Sequence, residues 1–570
     1  MHFEYGGNMH KKIKVLLALL TLTTTLSPVK AEETKNTRSS QEEDILVQGY
    51  IQKQLDAALL GTGKPKSGAK PMVLNLNTKL CTDYLAPYIE DWAAGRRTNT
   101  TVVIPFEALG IYADGYGATQ NEAIENAYSN LDIDTDQFFD FLLYEHPYEL
   151  YWFDKTNGMN VSALFDAKYD NPVHVTLTGL EIGFSVAYEY RLHAYDMYTL
   201  DPATGNRVNQ AIDNAKKIHE ENKKKSCYEQ LVAYRDAICE LTNYNSYVAL
   251  FGDYIDYGNP WQIIWVFDGD PETTVVCEGY AKAFKYLCDL AGWDVDIVDG
   301  VMSTNGHAGD HMWNIAHMDD GKNYLVDVTN CDKGSPGYPD LLFLKGCYAK
   351  TEGSYTYRCG KDVVTYEYDK DVVDYYLSEK LVLSSTDYNP ALAIKPPVFG
   401  FCLINAKYYW FEDSVKQGVI GDPKNIWDKH FGIERGREIY DPKSEGWYWL
   451  DAIFDGAKAV GKEVWMPYIY QEEDNCSNDI KWIVSRTSDE GMCDYVYQCM
   501  VNKSGKWVRY DENGKMLKGW VTISGKLAEL YPEQAGNTYY YDTITGLMAK
   551  GWIRIKGNNY HFNEITGILE

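Results

Sequence analysis

A thiol at a helix tip, an imidazole and a carboxylate, met in that order along a chain, are the parts of a nucleophilic relay. Cys277, His311 and Asp327 occur in that order between Val275 and Cys331. The run Val275-Val276-Cys277-Glu278-Gly279-Tyr280 leads into Tyr280, Phe284, Leu287, Cys288 and Ala291. Those apolar positions recur at three- and four-residue steps and predict a buried amphipathic helix stopping at Gly292. Cys277 opens that helix, where unpaired backbone N–H groups and the positive dipole end favour a thiolate. Cys288 falls on the packed face and reads as core.

The segments His311-Met312-Trp313-Asn314-Ile315-Ala316 and Asn323-Tyr324-Leu325-Val326-Asp327-Val328-Thr329 read as two strands of a hairpin. Asp319-Asp320-Gly321-Lys322 is their turn. Such a hairpin brings a histidine on one strand toward a carboxylate on the other, with the register left open by pattern alone. His307 and His311 are four apart, but the glycine between them argues a loop, and no second cluster completes a tetrahedral set. No metal and no cofactor are expected.

Three motifs carry a resemblance. Val276-Cys277-Glu278-Gly279-Tyr280-Ala281, then His311-Met312-Trp313-Asn314, then Val326-Asp327-Val328-Thr329 are similar to the core of the transglutaminase-like superfamily. The likeness spans Tyr228 to Gly346 and implies a papain-like fold with a Cys-His-Asp triad. The family's Gly-His-Ala-Trp appears here as Gly306-His307-Ala308-Gly309-Asp310-His311-Met312-Trp313. His311 takes the triad position because it stands two residues before the tryptophan, and His307 is its competitor. The resemblance implies attack of Cys277 on an amide carbonyl of a protein or peptide, proton transfer by His311 and orientation by Asp327. A lysine acceptor gives a cross-link, and water gives deamidation or hydrolysis. A cysteine peptidase acting on wall peptides and a non-catalytic surface adhesion protein are the alternatives. The N–H of Cys277 is a natural oxyanion donor, with Trp261, Gln262 or Tyr247 open as the second.

The flanking chain must position these groups. A short basic stretch, Met9 to Lys14, then the apolar run Val15 to Leu22 and the small residues before Glu32 read as a secretory signal peptide, 1–31. That run is too short to span a bilayer, so no integral membrane segment is expected once the signal is removed. A helical and strand region follows over 32–203, with helices expected at Asp44–Leu60, Asn121–Leu131 and Asp136–Leu143 and strands over Val173–Tyr190. His146-Pro147-Tyr148-Glu149-Leu150-Tyr151-Trp152-Phe153 reads as extended and resembles a segment of secreted transglutaminase-like proteins whose aromatics pack on the catalytic domain. The catalytic domain is placed at 204–350, opening with a polar helix near Arg207–Lys224 read as a solvated face, then Tyr228–Leu241. Val266 to Asp270 reads as a strand and turn. Residues 351–500 form a linker and an aromatic-rich lead-in module.

The chain of 570 residues carries a net charge of −28, which argues against nucleic acid, whose backbone calls for clustered Lys and Arg. Its 47 tyrosines suit binding of sugars or wall polymers. The 12 cysteines are dispersed, so no dense disulfide framework is expected, though Cys493, Cys499 and Cys476 lie close enough in sequence for one bridge.

Residues 501–570 repeat. An aromatic strand, a Gly turn, an apolar residue and Gly-Trp recur through Trp507–Trp520 and Tyr539–Trp552, and Tyr560–Leu569 begins the pattern again. Each unit is a hairpin too small to bury its own aromatics, so neighbours stack into a β-solenoid. These units resemble choline- or glucan-binding wall repeats of Gram-positive exported proteins. The resemblance implies a choline or glycan partner held by Trp507, Tyr510, Trp520, Tyr540, Trp552 and Tyr560 through cation–π contact or stacking. The expectation is an exported, wall-associated α+β protein: a papain-like transglutaminase core between a helical N-terminal region and a C-terminal β-hairpin solenoid.

Overall fold

A computed structural model of the chain describes residues 76–131, 133, 135–155, 157–251, 263–304, 307–351, 353–368, 377, 380–418, 427–428, 433–434, 437–451, 456–460, 463–466, 486–488, 491–493, 506–511, 513–530, 532–543, 546–564 and 566–570. The expected signal peptide, the helix Asp44–Leu60, Trp261, Gln262, Cys476 and Cys499 lie outside the described residues.

Helices and antiparallel sheets are mixed throughout. The first sheet is built from β1 (Thr101–Pro105), β2 (Ala113–Gly117), β3 (Met159–Lys168) and β4 (Val173–Phe184), with β4 pairing all three others. Helices Leu76–Ala93, Gln120–Ser129 and Thr135–Glu145 accompany it. The segment His146 to Phe153, expected to be extended, is a succession of turns. Its aromatics are buried all the same: Trp152 meets Trp92 edge-on at 5.6 Å, and Tyr148 donates to Asp289 Oδ2 at 2.6 Å. That second contact reaches the helix Cys277–Leu290.

The central sheet runs β8-β7-β6-β5-β11-β10-β9, every neighbour antiparallel. Its strands are β5 (Val295–Thr304), β6 (His307–His317), β7 (Asn323–Val326), β8 (Phe343–Lys345), β9 (Ala349–Thr351), β10 (Ser354–Cys359) and β11 (Asp362–Tyr368). The sheet therefore continues past residue 350, and the expected domain boundary there cuts through it. Likewise the N-terminal region and the central unit share one apolar core, from Cys81 through Phe284 to Tyr388.

Against this sheet lies the helix Cys277–Leu290. Tyr280, Phe284, Leu287 and Cys288 are wholly buried, as their spacing predicts. The helix ends in a Schellman motif: Gly292 takes φ 69, its N–H reaches Asp289 O at 3.0 Å, and Trp293 N–H reaches Cys288 O at 2.9 Å. The buried Lys416 ammonium hydrogen-bonds Gly292 O and lies between the Trp293 and Tyr409 rings, 4.9 and 4.5 Å from their centroids. It joins the sheet Phe399–Ile404, Lys407–Glu412, Val415–Lys416 to the helix end, where a cation suits the dipole.

Two expectations change here. The helix Gly205–Asn222 is not only a solvated face, because Val208, Ala211, Ile212 and Ala215 form a buried stripe on it. Val266 and Phe267, expected to open a strand and turn over Val266–Asp270, belong to the helical turn Ile264–Phe267, which packs in the same core as the helix Cys277–Leu290.

In the C-terminal part, Gly519–Thr522 pairs with Thr538–Tyr541 and Gly551–Ile555 with Asn558–Phe562. Single bridges Tyr510↔Met516, Tyr541↔Met548 and Phe562↔Leu569 close each aromatic strand over its Gly turn. The small cores are shared between neighbours, Leu547 packing with Val508 and Tyr510 of the preceding unit. That is nearest-neighbour stacking of hairpins. Among the described residues no helix is long and apolar enough to cross a membrane.

Candidate active site

Cys277 is the first residue of its helix and is 5 % exposed. The N-cap is Val276, extended and with no side-chain cap, so no hydroxyl or carboxylate occupies the first-turn N–H groups from that position. Glu278, next in sequence, is buried and neutralised from two sides. Lys155 Nζ lies 2.5 Å from each of its oxygens, and Lys282 Nζ lies 2.9 Å from Oε1. Burial opposes the Glu278 carboxylate, but the two ammonium charges outweigh it and hold its carboxyl below the ordinary value. Lys155 comes from the N-terminal region, which is thereby fastened to the residue beside Cys277.

His311 projects from β6 and is 8 % exposed. Its Nε2 lies 2.8 Å from Asp327 Oδ2, and the neighbouring Cys277 side chain acts on the same ring. Burial works against a protonated ring. The Asp327 charge and hydrogen bond, followed by those of Cys277, more than offset it and raise the imidazole from 6.5 to about 10. Trp313 stacks beside the ring at 6.3 Å and 19°. His307, the competitor, is exposed on the same strand. Both histidines belong to β6, so the expected loop between them is strand. Among the described residues no cluster of three or more His, Cys, Asp or Glu is placed to hold a metal.

Asp327 does not continue the hairpin strand. β7 stops at Val326, and Asp327 is the N-cap of the one-turn helix Val328–Cys331. In the register of the hairpin Val326 lies opposite Asn314, so a straight strand would place residue 327 opposite Trp313, two residues short of His311. The cap turns the carboxylate toward His311 instead. Its Oδ1 accepts from Asn330 N at 3.0 Å, and Oδ2 accepts from Asn330 Nδ2 at 2.7 Å and Tyr366 Oη at 2.6 Å as well as from His311. Asp327 is fully buried; burial pushes its carboxyl upward, while His311, Tyr366 and Asn330 together hold it below the ordinary value. Burial and then the Asp327 charge keep the Tyr366 phenol far above its usual range, so it remains a donor.

Tyr366 arrives on β11 because β11 runs beside β5. Gly300, opposite His311 on β5, makes this approach possible: it takes φ +154, and a Cβ there would lie 2.1 Å from Glu367 O. Tyr366 and Asn330 were not foreseen from sequence. Asn330 had a signal, the Asp-x-x-Asn spacing of a cap; Tyr366 had none, being 39 residues from Asp327.

The tail residues divide. Trp520, Tyr540 and Tyr560 meet, with Trp520 ring centroids 5.1 Å from Tyr540 and 4.8 Å from Tyr560, both edge-on. Trp520 is 43 % exposed. Trp552 is apart from them, 75 % exposed and 4.8 Å from the His561 ring. Tyr510 is fully buried in the core between units. Trp507 is described only as a residue of the strand Lys506–Arg509, paired with Trp465. The nine cysteines that the described residues include with their side chains are free thiols.

No protein-family model matches the chain, and no curated protein matches it. Among solved structures it is similar to choline-binding protein F from Streptococcus pneumoniae, at 16 % identity and TM-score 0.16, over 46 % of this chain and 57 % of that one. A structure described as a TGase is 13 % identical with TM-score 0.18, over 30 % of this chain and 45 % of that one. The multimodular pneumococcal cell wall endolysin from phage Cp-1 is 15 % identical with TM-score 0.15, over 38 % and 39 % of the two chains. The chain thus spans between about two fifths and three fifths of the length of these solved chains.

Proposed function

We propose that this chain is an exported, wall-associated enzyme of transglutaminase-like type that performs thiol acyl transfer at amide carbonyls. One observation carries the reading: a buried imidazole beside Cys277 is hydrogen-bonded to a buried Asp327 carboxylate that Tyr366 and Asn330 also hold in place. In the first step the Cys277 sulfur attacks the carbonyl carbon, a C–S bond forms and the carbonyl oxygen takes up the electron pair. Collapse of that adduct restores C=O and breaks C–N, and the leaving ammonia or amine takes its proton from the His311 imidazolium. Asp327 keeps the ring turned toward the sulfur and stabilises its charge. An amine or a water then attacks the thioester, with neutral His311 accepting its proton, and frees the thiol.

Attachment to a wall glycan is the proposed role of the tail. Its support is the exposed Trp520 face beside Tyr540 and Tyr560, a stacking surface. A sugar ring stacked on the exposed Trp520 face is the preferred ligand.

The test is incubation of the full chain with a glutamine-bearing protein and a fluorescent primary amine, beside Cys277→Ala. Cysteine-dependent labelling identifies amine transfer, and cysteine-dependent ammonia release without labelling identifies deamidation. New amino termini alone would move the assignment to peptide hydrolysis. Equal results for both proteins in all three readouts would overturn the proposal.

A further inference from the structure

The geometry points to Tyr244 as the side-chain donor of the oxyanion hole, acting with the backbone N–H of Cys277; this rests on the acyl-transfer reading above. Tyr244 follows the helix Cys227–Leu241 in a short extended segment laid parallel to the residues that lead into the nucleophile. Val275 N–H donates to Asn243 O at 3.2 Å, Asn245 N–H donates to Val275 O at 2.8 Å, and Tyr244 pairs with Val275. The Tyr244 backbone is thus fixed beside a residue two positions before Cys277. Its ring centroid is 6.5 Å from that of Tyr280. Tyr280 stands three residues after Cys277, so the two share a helix face, and its hydroxyl is anchored on Asp332 Oδ2 at 2.6 Å. Tyr244 therefore stands over the face that carries the sulfur.

Three other phenols near the helix are already committed, Tyr280 to Asp332, Tyr366 to Asp327 and Tyr148 to Asp289. The Tyr244 hydroxyl makes no hydrogen bond among the described residues, and the residue is 37 % exposed, open to an arriving carbonyl. Tyr247, a candidate from sequence, is 65 % exposed, too wet to give a strong donor. When sulfur adds to the carbonyl, the oxygen gains a full negative charge that a placed donor stabilises far more than it does the ground-state amide. Such a donor must stay protonated. Burial, then the charges of Cys277 and Asp327, push the Tyr244 phenol above its ordinary range.

The experiment compares two reactions of Cys277 in the full chain and in Tyr244→Phe, each corrected for Cys277→Ala. Acylation by p-nitrophenyl acetate passes through an oxyanion; alkylation by iodoacetamide, a displacement at a saturated carbon, does not. The expected result is an acylation burst about 100-fold slower in Tyr244→Phe, with alkylation within about twofold of the wild type. A variant burst at the wild-type rate overturns the donor role alone. Equal slowing of both reactions also overturns it, by showing a displaced thiol rather than a lost donor. Absence of any burst in the wild-type chain overturns the acyl-transfer reading, and the donor role with it.

Discussion

Replacing Asp327 by Asn tests the relay at its most buried member. The change keeps the shape and removes the charge. Four donors converge on the carboxylate, three on Oδ2 and one on Oδ1. An amide offers one oxygen, so its NH2 must face either the Asn330 backbone N–H or the three donors on the other side. At least one buried charge-assisted bond is lost, at about 1.5–3 kcal/mol. The larger effect is on His311. Its rise from 6.5 to about 10 corresponds to roughly 4–5 kcal/mol of preference for the protonated ring. With the charge gone, burial is opposed only by Cys277, and the imidazole falls back toward or below 6.5. Because the folded-state value in the wild type lies above the unfolded one, this stabilisation is complete below about pH 6.5 and disappears as pH rises to about 10. The difference in unfolding free energy between wild type and Asp327→Asn, from urea titrations, is therefore largest at about pH 6.5 and below and shrinks toward pH 10. Acylation of Cys277 slows by about 10³–10⁴-fold, as when a triad carboxylate is neutralised. Two results would refute this reasoning: a stability difference flat across that interval, or acylation within threefold of the wild type.

Three further outcomes follow from the same geometry. Tyr366→Phe removes one of three donors to Asp327 Oδ2 and is expected to cost about 1.5–3 kcal/mol in urea unfolding, with acylation slowed less than about tenfold because the His311 bond remains. Gly300→Ala drives a methyl into Glu367 O and is expected to destabilise by more than about 2 kcal/mol, with amide exchange accelerating first in β11. Trp520→Ala removes an exposed ring, so retention on purified cell wall should fall severalfold while the acylation burst stays at the wild-type rate.

What the sequence made legible follows the range of its signals. The helix Cys277–Leu290 was plain because its spacing and its Gly292 stop are local, and both appear where the pattern puts them. The hairpin was legible too, as far as its turn. Its far end was not: β-branched residues continue on both sides of Asp327, but Asp327 caps a helix and ends the strand, a choice made by hydrogen bonds to Asn330 and to a tyrosine on a distant strand. Pairing of β11 with β5 is likewise a long-range event that no window of sequence reveals, and it carries the central unit beyond residue 350. The turns at His146–Phe153 read as extended because aromatic residues favour strands, yet here tertiary packing against Trp92 and Asp289 sets the backbone. In the tail, composition pointed to rings at repeat positions but could not divide exposed Trp520 from buried Tyr510, since that depends on which neighbour stacks above.

The most direct measurement is peptide mapping of the acyl-enzyme trapped by acid after brief reaction with an activated glutamine analogue. The account predicts one thioester, on Cys277, formed far more slowly in His311→Ala and absent from Cys277→Ala. Acyl groups spread over lysines and other cysteines, at a rate unchanged by either substitution, would contradict it.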